Sequence, residues 1–263
     1  MERLVSNDGR LTAFRTGQGD DLVILHSLLC DWAAFEQVLP RLAAGFRVTL
    51  INLPGFHGSS PVAGRLEAYV EAIGKGFADF GIRTPAVLMG NGFGGTLALA
   101  FAQHRPEALS KLILVDAAAG FPEAGKEAFR TMARMVADGG MGAIATVAAK
   151  RVYHERYVAD HPHVIDERRA VLLEIEPAAF RAACEVLVAC DLVPALGDLH
   201  VPTLIVFGAE DQATPPALNR VVAAGLPNAK AIEIPACGHC PPLEKPEGFL
   251  AAIGDAIAAA VRI

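Results

Sequence analysis

Three short segments of the 263-residue chain hold the residue types that chemistry needs, each just beyond an apolar run. They are Gly90-Asn91-Gly92-Phe93-Gly94-Gly95, Gly208-Ala209-Glu210-Asp211 and Gly238-His239. A carboxylate on one imidazole nitrogen fixes the tautomer and leaves the other nitrogen free as a general base. The glycines admit a second reading, because Gly90-x-Gly92-x-x-Gly95 has the Gly-x-Gly-x-x-Gly spacing of a dinucleotide loop, with Asp116 about 20 residues on. That fingerprint belongs to a first βαβ unit. Here it follows a late strand and leaves Asp211 and His239 unexplained. Cys237-Gly238-His239-Cys240 copies the Cys-x-x-Cys spacing of redox and metal sites. A redox motif should open a helix early in its unit, whereas this one follows the last strand and is trailed by Pro241-Pro242, so small residues flanking a functional histidine explain it better.

The elements that must position these residues alternate. Val5–Arg15, with Asp8-Gly9 at its centre, reads as a hairpin. Short apolar runs at Leu22–Leu25, Val48–Ile51, Ala86–Met89 and Leu112–Val115 read as strands buried on both faces. Helical spacing fills the gaps at Trp32–Leu42, Leu66–Phe80 and Thr96–Gln103. Strand–helix alternation predicts a parallel sheet with helices on both faces. From about Phe121 to Leu196 only helical patterns occur, at Lys126–Ala137, Ile144–Tyr153, Ile165–Leu173 and Pro177–Ala189. Strands resume at Thr203–Phe207 and Ala231–Ile234, and a last helix is expected over Pro246–Val261. The expected organisation is a core of residues 1–120 and 197–263 with a helical cap, 121–196, over the carboxyl edge of the sheet, where open α/β sheets bind ligands.

This layout resembles the α/β-hydrolase fold, whose nucleophile elbow reads Gly-x-Ser-x-Gly and whose triad runs Ser, then Asp, then His. Two more segments carry the resemblance. Leu25-His26-Ser27-Leu28 resembles the His-Gly oxyanion loop, with Ser27 where glycine is usual. Asn52-Leu53-Pro54-Gly55-Phe56-His57-Gly58-Ser59-Ser60 resembles an Asp-x-Pro-Gly-x-Gly-x-Ser loop, with Asn52 where aspartate is usual. The match spans nearly the whole chain. Tyr157–Pro162, Arg168–Leu173, Pro177–Phe180, Cys190–Leu192 and Thr214–Pro216 are similar to 3-oxoadipate enol-lactonases. The elbow is similar to that of hydrolases that cleave carbon–carbon bonds in aromatic-ring breakdown. The resemblance implies a hydrolase of a small ester, enol-lactone or ring-cleavage product. It assigns His239 as the base, Asp211 as its orienter, the Leu28 and Phe93 amides as the oxyanion hole, and His26, Ser27 and Asn91 as substrate neighbours. It implies no metal and no organic cofactor.

The departure lies at the nucleophile position, which is Gly92. Glycine tolerates the strained elbow turn but has no side chain to carry an acyl group. In a model serine protease, loss of the nucleophile costs about 10⁶ in turnover. The acyl-enzyme route at residue 92 is therefore disabled or lost. His239 could instead activate water or take a proton from a carbon acid. Ser27, the sole hydroxyl of its loop, is a conceivable substitute nucleophile, although a loop serine is ordinarily a turn hydroxyl. His26 is expected to structure its loop. The alternative function is a non-hydrolytic small-molecule binder or receptor, or a lyase- or isomerase-type enzyme using the His–Asp base.

Composition bounds the rest. Lys plus Arg total 23 against 29 Asp plus Glu, a net charge of −6 that argues against a nucleic-acid partner. The long uncharged stretch Thr84–Gln103 is broken by glycines, so no membrane span is expected. Five cysteines without a leading apolar segment point to reduced thiols in the cytoplasm. The expected partner is a small-molecule substrate, with a carboxylate held by one or two of the insert's arginines if the enol-lactone reading holds. The chain is expected to be a monomer or homodimer.

Overall fold

The apolar runs become strands because a parallel sheet covered by helices buries both faces of each strand. The computed structural model describes residues 1–258. A hairpin of β1 (Glu2–Val5) and β2 (Thr12–Thr16) leads to β3 (Asp20–Leu25). Then come α1 (Leu39–Ala43), β4 (Phe46–Asn52), α2 (Leu66–Asp79), β5 (Ala86–Asn91), α3 (Phe93–His104) and β6 (Leu109–Val115). The insert holds α4 (Glu123–Gly139), α5 (Ala145–Lys150), α6 (Glu155–Asp160), α7 (Val164–Leu173) and α8 (Pro177–Ala189). The chain closes with β7 (Thr203–Gly208), α9 (Pro216–Gly225), β8 (Ala229–Ile234), α10 (Pro241–Glu244) and α11 (Pro246–Ala258). The last three residues of the helix expected over Pro246–Val261 lie outside the described residues.

The eight strands form one sheet in the order β1-β2-β4-β3-β5-β6-β7-β8. β2 is antiparallel to both its neighbours, and all later neighbours are parallel. The order reverses at β3. From there the chain steps one way to β4 and then crosses to β5 on the other side. Such a reversal leaves a crevice beyond the carboxyl ends of the two central strands. Leu25 on β3 is in register with Gly90 on β5. The residues two positions further on, Ser27 and Gly92, therefore emerge side by side at that crevice.

Local structure departs from the sequence pattern in three places. The helix expected over Trp32–Leu42 is a short 3₁₀ turn, Trp32–Phe35, followed by α1. Pro40 sits in the first turn of α1, where its missing amide is harmless, whereas inside a continuous helix it would remove a hydrogen bond and clash. Helix α3 starts at Phe93, three residues earlier than its apolar spacing indicated, because glycine-rich segments carry no periodicity. Helices α6, α9 and α10 were not legible as separate elements. No helix among the described residues is long and apolar enough to cross a membrane. All five cysteines are buried and free.

Candidate active site

Gly92 follows β5 and caps α3 with φ 54° and ψ −117°, a backbone state that L side chains rarely adopt. Its amide donates to the Val115 carbonyl of β6 at 2.8 Å, which pins the turn to the neighbouring strand. Gly94 is needed for close approach. A Cβ there would lie 2.4 Å from the Leu25 carbonyl oxygen and 2.5 Å from that of His26, so the β3 loop rests directly on the start of α3.

The structure brings Asp211 and His239 together from the ends of β7 and β8. Asp211 Oδ2 accepts from His239 Nδ1 at 2.8 Å. Its Oδ1 accepts the amides of Ala213 (2.7 Å) and Thr214 (3.0 Å), so the carboxylate is held from both oxygens. With Nδ1 donating, Nε2 is the acceptor that faces the pocket. Burial alone would push the His239 imidazole below its ordinary range, but the Asp211 charge and hydrogen bond outweigh it, and its pKa is raised. The His239 backbone is fixed by its amide to the Val152 carbonyl (2.8 Å) and by its own carbonyl to Asn91 Nδ2 (3.0 Å).

Ser27 does not behave as a turn hydroxyl. Its Oγ donates to His239 Nε2 at 3.0 Å. A Cβ at residue 92 would lie 2.5 Å from Ser27 Oγ and 2.6 Å from His239 Nε2. The Ser27–His239 contact therefore occupies the space where a side chain at residue 92 would begin. The amides of Leu28 and Phe93 have no backbone acceptor among the described residues, and both residues line the same pocket.

That pocket encloses about 580 Å³ of empty space, its open mouth included. Ser27, Gly92, Thr96 and His239 form its floor, and Phe121, Phe129, Met132 and Leu187 form an apolar wall from the insert and the loop that leads into it. Among the described residues Arg151 is the one lysine or arginine on its lining, and it also donates to the Gln212 carbonyl at 3.0 Å.

His26 and Asn91, expected beside the substrate, are absent from this lining because their polar atoms are spent inside the protein. His26 Nε2 accepts the Leu53 amide at 3.1 Å and Nδ1 donates to the Ser27 carbonyl at 2.9 Å. Burial lowers its pKa to about 4, so the ring is a neutral brace for the loop. Asn91 Nδ2 bridges the Val115 and His239 carbonyls, while Oδ1 accepts from Cys240 Sγ at 3.4 Å. Asn52 is likewise structural, with its Nδ2 on Thr12 Oγ1 at 2.9 Å.

Two further residues belong to the site. Asp116, wholly buried at the end of β6, accepts the Gly208 amide on Oδ1 at 2.9 Å, and its Oδ2 has no partner among the described residues. One carboxyl oxygen each of Asp116 and Asp211 and a ring nitrogen of His239 lie within 4.8 Å of one another. Burial, and then the Asp211 charge, raise the Asp116 pKa well above its ordinary value, which favours the protonated acid beside Asp211. Its place at a strand's carboxyl end was the available signal, and the spacing had tied it to a nucleotide loop instead. Glu244 on α10 braces the histidine loop by accepting the Gly238 and His154 amides, each at 3.0 Å.

Comparison with known proteins agrees with this architecture. The model of the alpha/beta hydrolase family matches residues 22–252. A pimeloyl-[acyl-carrier protein] methyl ester esterase of Aromatoleum aromaticum is 31% identical over 252 residues, covering 90% of this chain and 98% of the esterase. A 3-oxoadipate enol-lactonase of Acinetobacter baylyi is 24% identical over 253 residues, covering 94% and 93%. A thermophilic esterase from Thermogutta terrifontis, solved with malate bound, superposes with a TM-score of 0.90 at 28% identity over the whole of both chains. With its mostly parallel eight-stranded sheet and a family match across all but its ends, the chain belongs to the alpha/beta hydrolase family.

Proposed function

We propose that this protein hydrolyses a small ester or lactone whose acyl part is largely apolar. The observation that carries the reading is the buried Asp211–His239 pair, which aims Nε2 into the pocket beside two free backbone amides. Nε2 takes a proton from the attacking hydroxyl and returns it to the leaving oxygen. The Leu28 and Phe93 amides hold the developing oxyanion, and donors of this kind are worth about 2.7–4 kcal/mol each. The acyl chain packs on Phe121, Phe129, Met132 and Leu187. Arg151 gives a remote carboxylate a charge-assisted partner, which extends the reading to acidic lactones and ring-cleavage products. Residue 92 takes no part in acyl transfer. Residues 121–196 act as the cap over a core of 1–120 and 197–263.

The test is a panel of p-nitrophenyl esters, methyl esters and enol-lactones of graded acyl length, assayed with the intact chain and with His239→Ala. Turnover that His239→Ala reduces by 10³-fold or more supports the reading. Tight binding of the same compounds without turnover would favour a binding protein instead.

A further inference from the structure

We propose that Ser27 is the nucleophile of this protein, a triad serine delivered from the loop after β3 instead of from the elbow after β5. The proposal rests on the ester-hydrolase reading above and names the group that carries the acyl intermediate.

Four observations carry it. First, Ser27 Oγ, His239 Nε2, His239 Nδ1 and Asp211 Oδ2 form a continuous chain, with contacts of 3.0 Å and 2.8 Å. This is the hydrogen-bond order that activates a serine. Ser27 Oγ has no other partner among the described residues, so the hydroxyl is not occupied in a turn. Second, the sheet explains how two different loops can present a hydroxyl to one histidine. The register Leu25–Gly90 between β3 and β5 sets Ser27 beside Gly92, so the base need not move when the nucleophile changes loop. Third, glycine at 92 is what makes room. A Cβ there would lie closer than 3.0 Å to both Ser27 Oγ and His239 Nε2. The glycine that removes the elbow hydroxyl thus opens the approach for the other one. Fourth, the loop is braced for precision. His26 is clamped at both ring nitrogens, the Gly94 amide donates to the His26 carbonyl at 3.1 Å, and the Cys30 amide closes back on the Ser27 carbonyl at 3.3 Å. The Leu28 amide follows Ser27 directly, the same relation that an elbow's oxyanion amide bears to its nucleophile.

The steps balance within the residues named. Ser27 Oγ adds to the acyl carbon as its proton passes to His239 Nε2. The tetrahedral adduct collapses by breaking the bond from the acyl carbon to the leaving oxygen. That oxygen takes the proton from Nε2, which leaves an acyl ester on Ser27 and a neutral imidazole. Water then adds to the acyl carbon while Nε2 takes one of its protons. Ser27 Oγ departs, recovers that proton, and the carboxylic acid is released.

The experiment uses the intact chain and an alkyl fluorophosphonate, followed by peptide mass mapping, with p-nitrophenyl butyrate turnover in parallel. One phosphonyl group on the Ser27 peptide is expected. Ser27→Ala and His239→Ala should each abolish it and reduce turnover about 10³-fold or more. Ser27→Cys, which keeps a nucleophile at the same place, should remain open to His239-dependent alkylation by iodoacetamide. Absence of label on the wild-type chain, or label that persists in Ser27→Ala, overturns the proposal. Turnover that survives Ser27→Ala but not His239→Ala overturns it while the hydrolase reading stands. A labelled Ser27 without turnover of any ester or lactone supports the nucleophile and removes the hydrolase reading.

Discussion

Ser27 Oγ and His239 Nε2 are 3.0 Å apart although 212 positions separate them in the chain. Their contact fills the space that a side chain at residue 92 would need. The pair joins the loop after β3 to the His239 imidazole, and the behaviour of substitutions around it follows from that geometry.

Gly92→Ala supplies the missing Cβ and nothing else. It should displace Ser27 or His239 by several tenths of an ångström, because the new atom would otherwise sit 2.5–2.6 Å from both. Misplacement on the ångström scale costs about 10²-fold in rate. Turnover of p-nitrophenyl butyrate should fall by that order, and the unfolding midpoint should fall as well, because an L side chain at φ 54° is strained. Gly92→Ser should also fail to accelerate the reaction. A large gain with burst kinetics would mean that residue 92 is the natural seat of the nucleophile.

The base must be unprotonated to accept a proton, and Asp211 raises the His239 pKa. The acid limb of kcat/KM should therefore lie above the ordinary imidazole value of about 6.5. Asp211→Asn should lower kcat by about 10⁴-fold at neutral pH, because an amide favours the wrong tautomer. A pH–rate profile of both chains checks this.

Asp116 holds a proton in the folded protein at pH values where an unfolded aspartate has lost it. The folded state thus binds more protons, and this group's contribution is full below the unfolded pKa of about 3.9 and is lost as pH rises. Asp116→Asn mimics the protonated acid and removes that dependence. It should gain stability relative to the wild type between pH 5 and pH 8 in urea titrations. Asp116→Ala, which orphans the Gly208 amide, should cost about 1–3 kcal/mol.

Arg168 on α7 and Asp31, both buried, meet at 3.3 Å. Arg168→Met leaves Asp31 buried without its cation and should destabilise by about 3–5 kcal/mol. Arg168→Met combined with Asp31→Asn should recover much of that loss, as denaturant unfolding of the three variants would show.

Arg151→Gln should raise KM for esters with a terminal carboxylate, relative to neutral esters of the same length, by about tenfold or more. A charge-assisted hydrogen bond is worth about 1.5–3 kcal/mol. An unchanged ratio would remove Arg151 from substrate recognition.

Much of the frame was legible from the chain because fully buried parallel strands read as apolar runs, and β3, β4, β5, β6 and β7 all do so. The elbow was legible from its glycines, and the order of Asp211 and His239 from their places after strands. Pro40 gave a local signal that apolar spacing overrode. The sequence could name Ser27 as a substitute nucleophile but could not favour it, for a deeper reason. Its role depends on the register of β3 against β5 and on the absence of a Cβ at 92, and no local pattern around Ser27 encodes either fact. Asp116 was hidden in the same way, since its partners Gly208 and Asp211 arrive with β7, more than 90 residues later.

The Arg168–Asp31 pair has a mechanical consequence. Asp31 lies four residues beyond Ser27, so α7 is tethered by charge to the segment that carries the Ser27 hydroxyl. Swinging α7 outward would separate two charges in a region of low polarity and would pull on that segment at the same time. Helix α4 has no such anchor. Val136 is its one fully buried residue, and its salt bridges, Arg130 and Arg134 to Glu123 and Glu127, all lie within the helix itself. The insert is therefore fastened unevenly: α7 is held by a buried ion pair, whereas α4, which brings Phe129 and Met132 to the pocket, is held by its packing against α8.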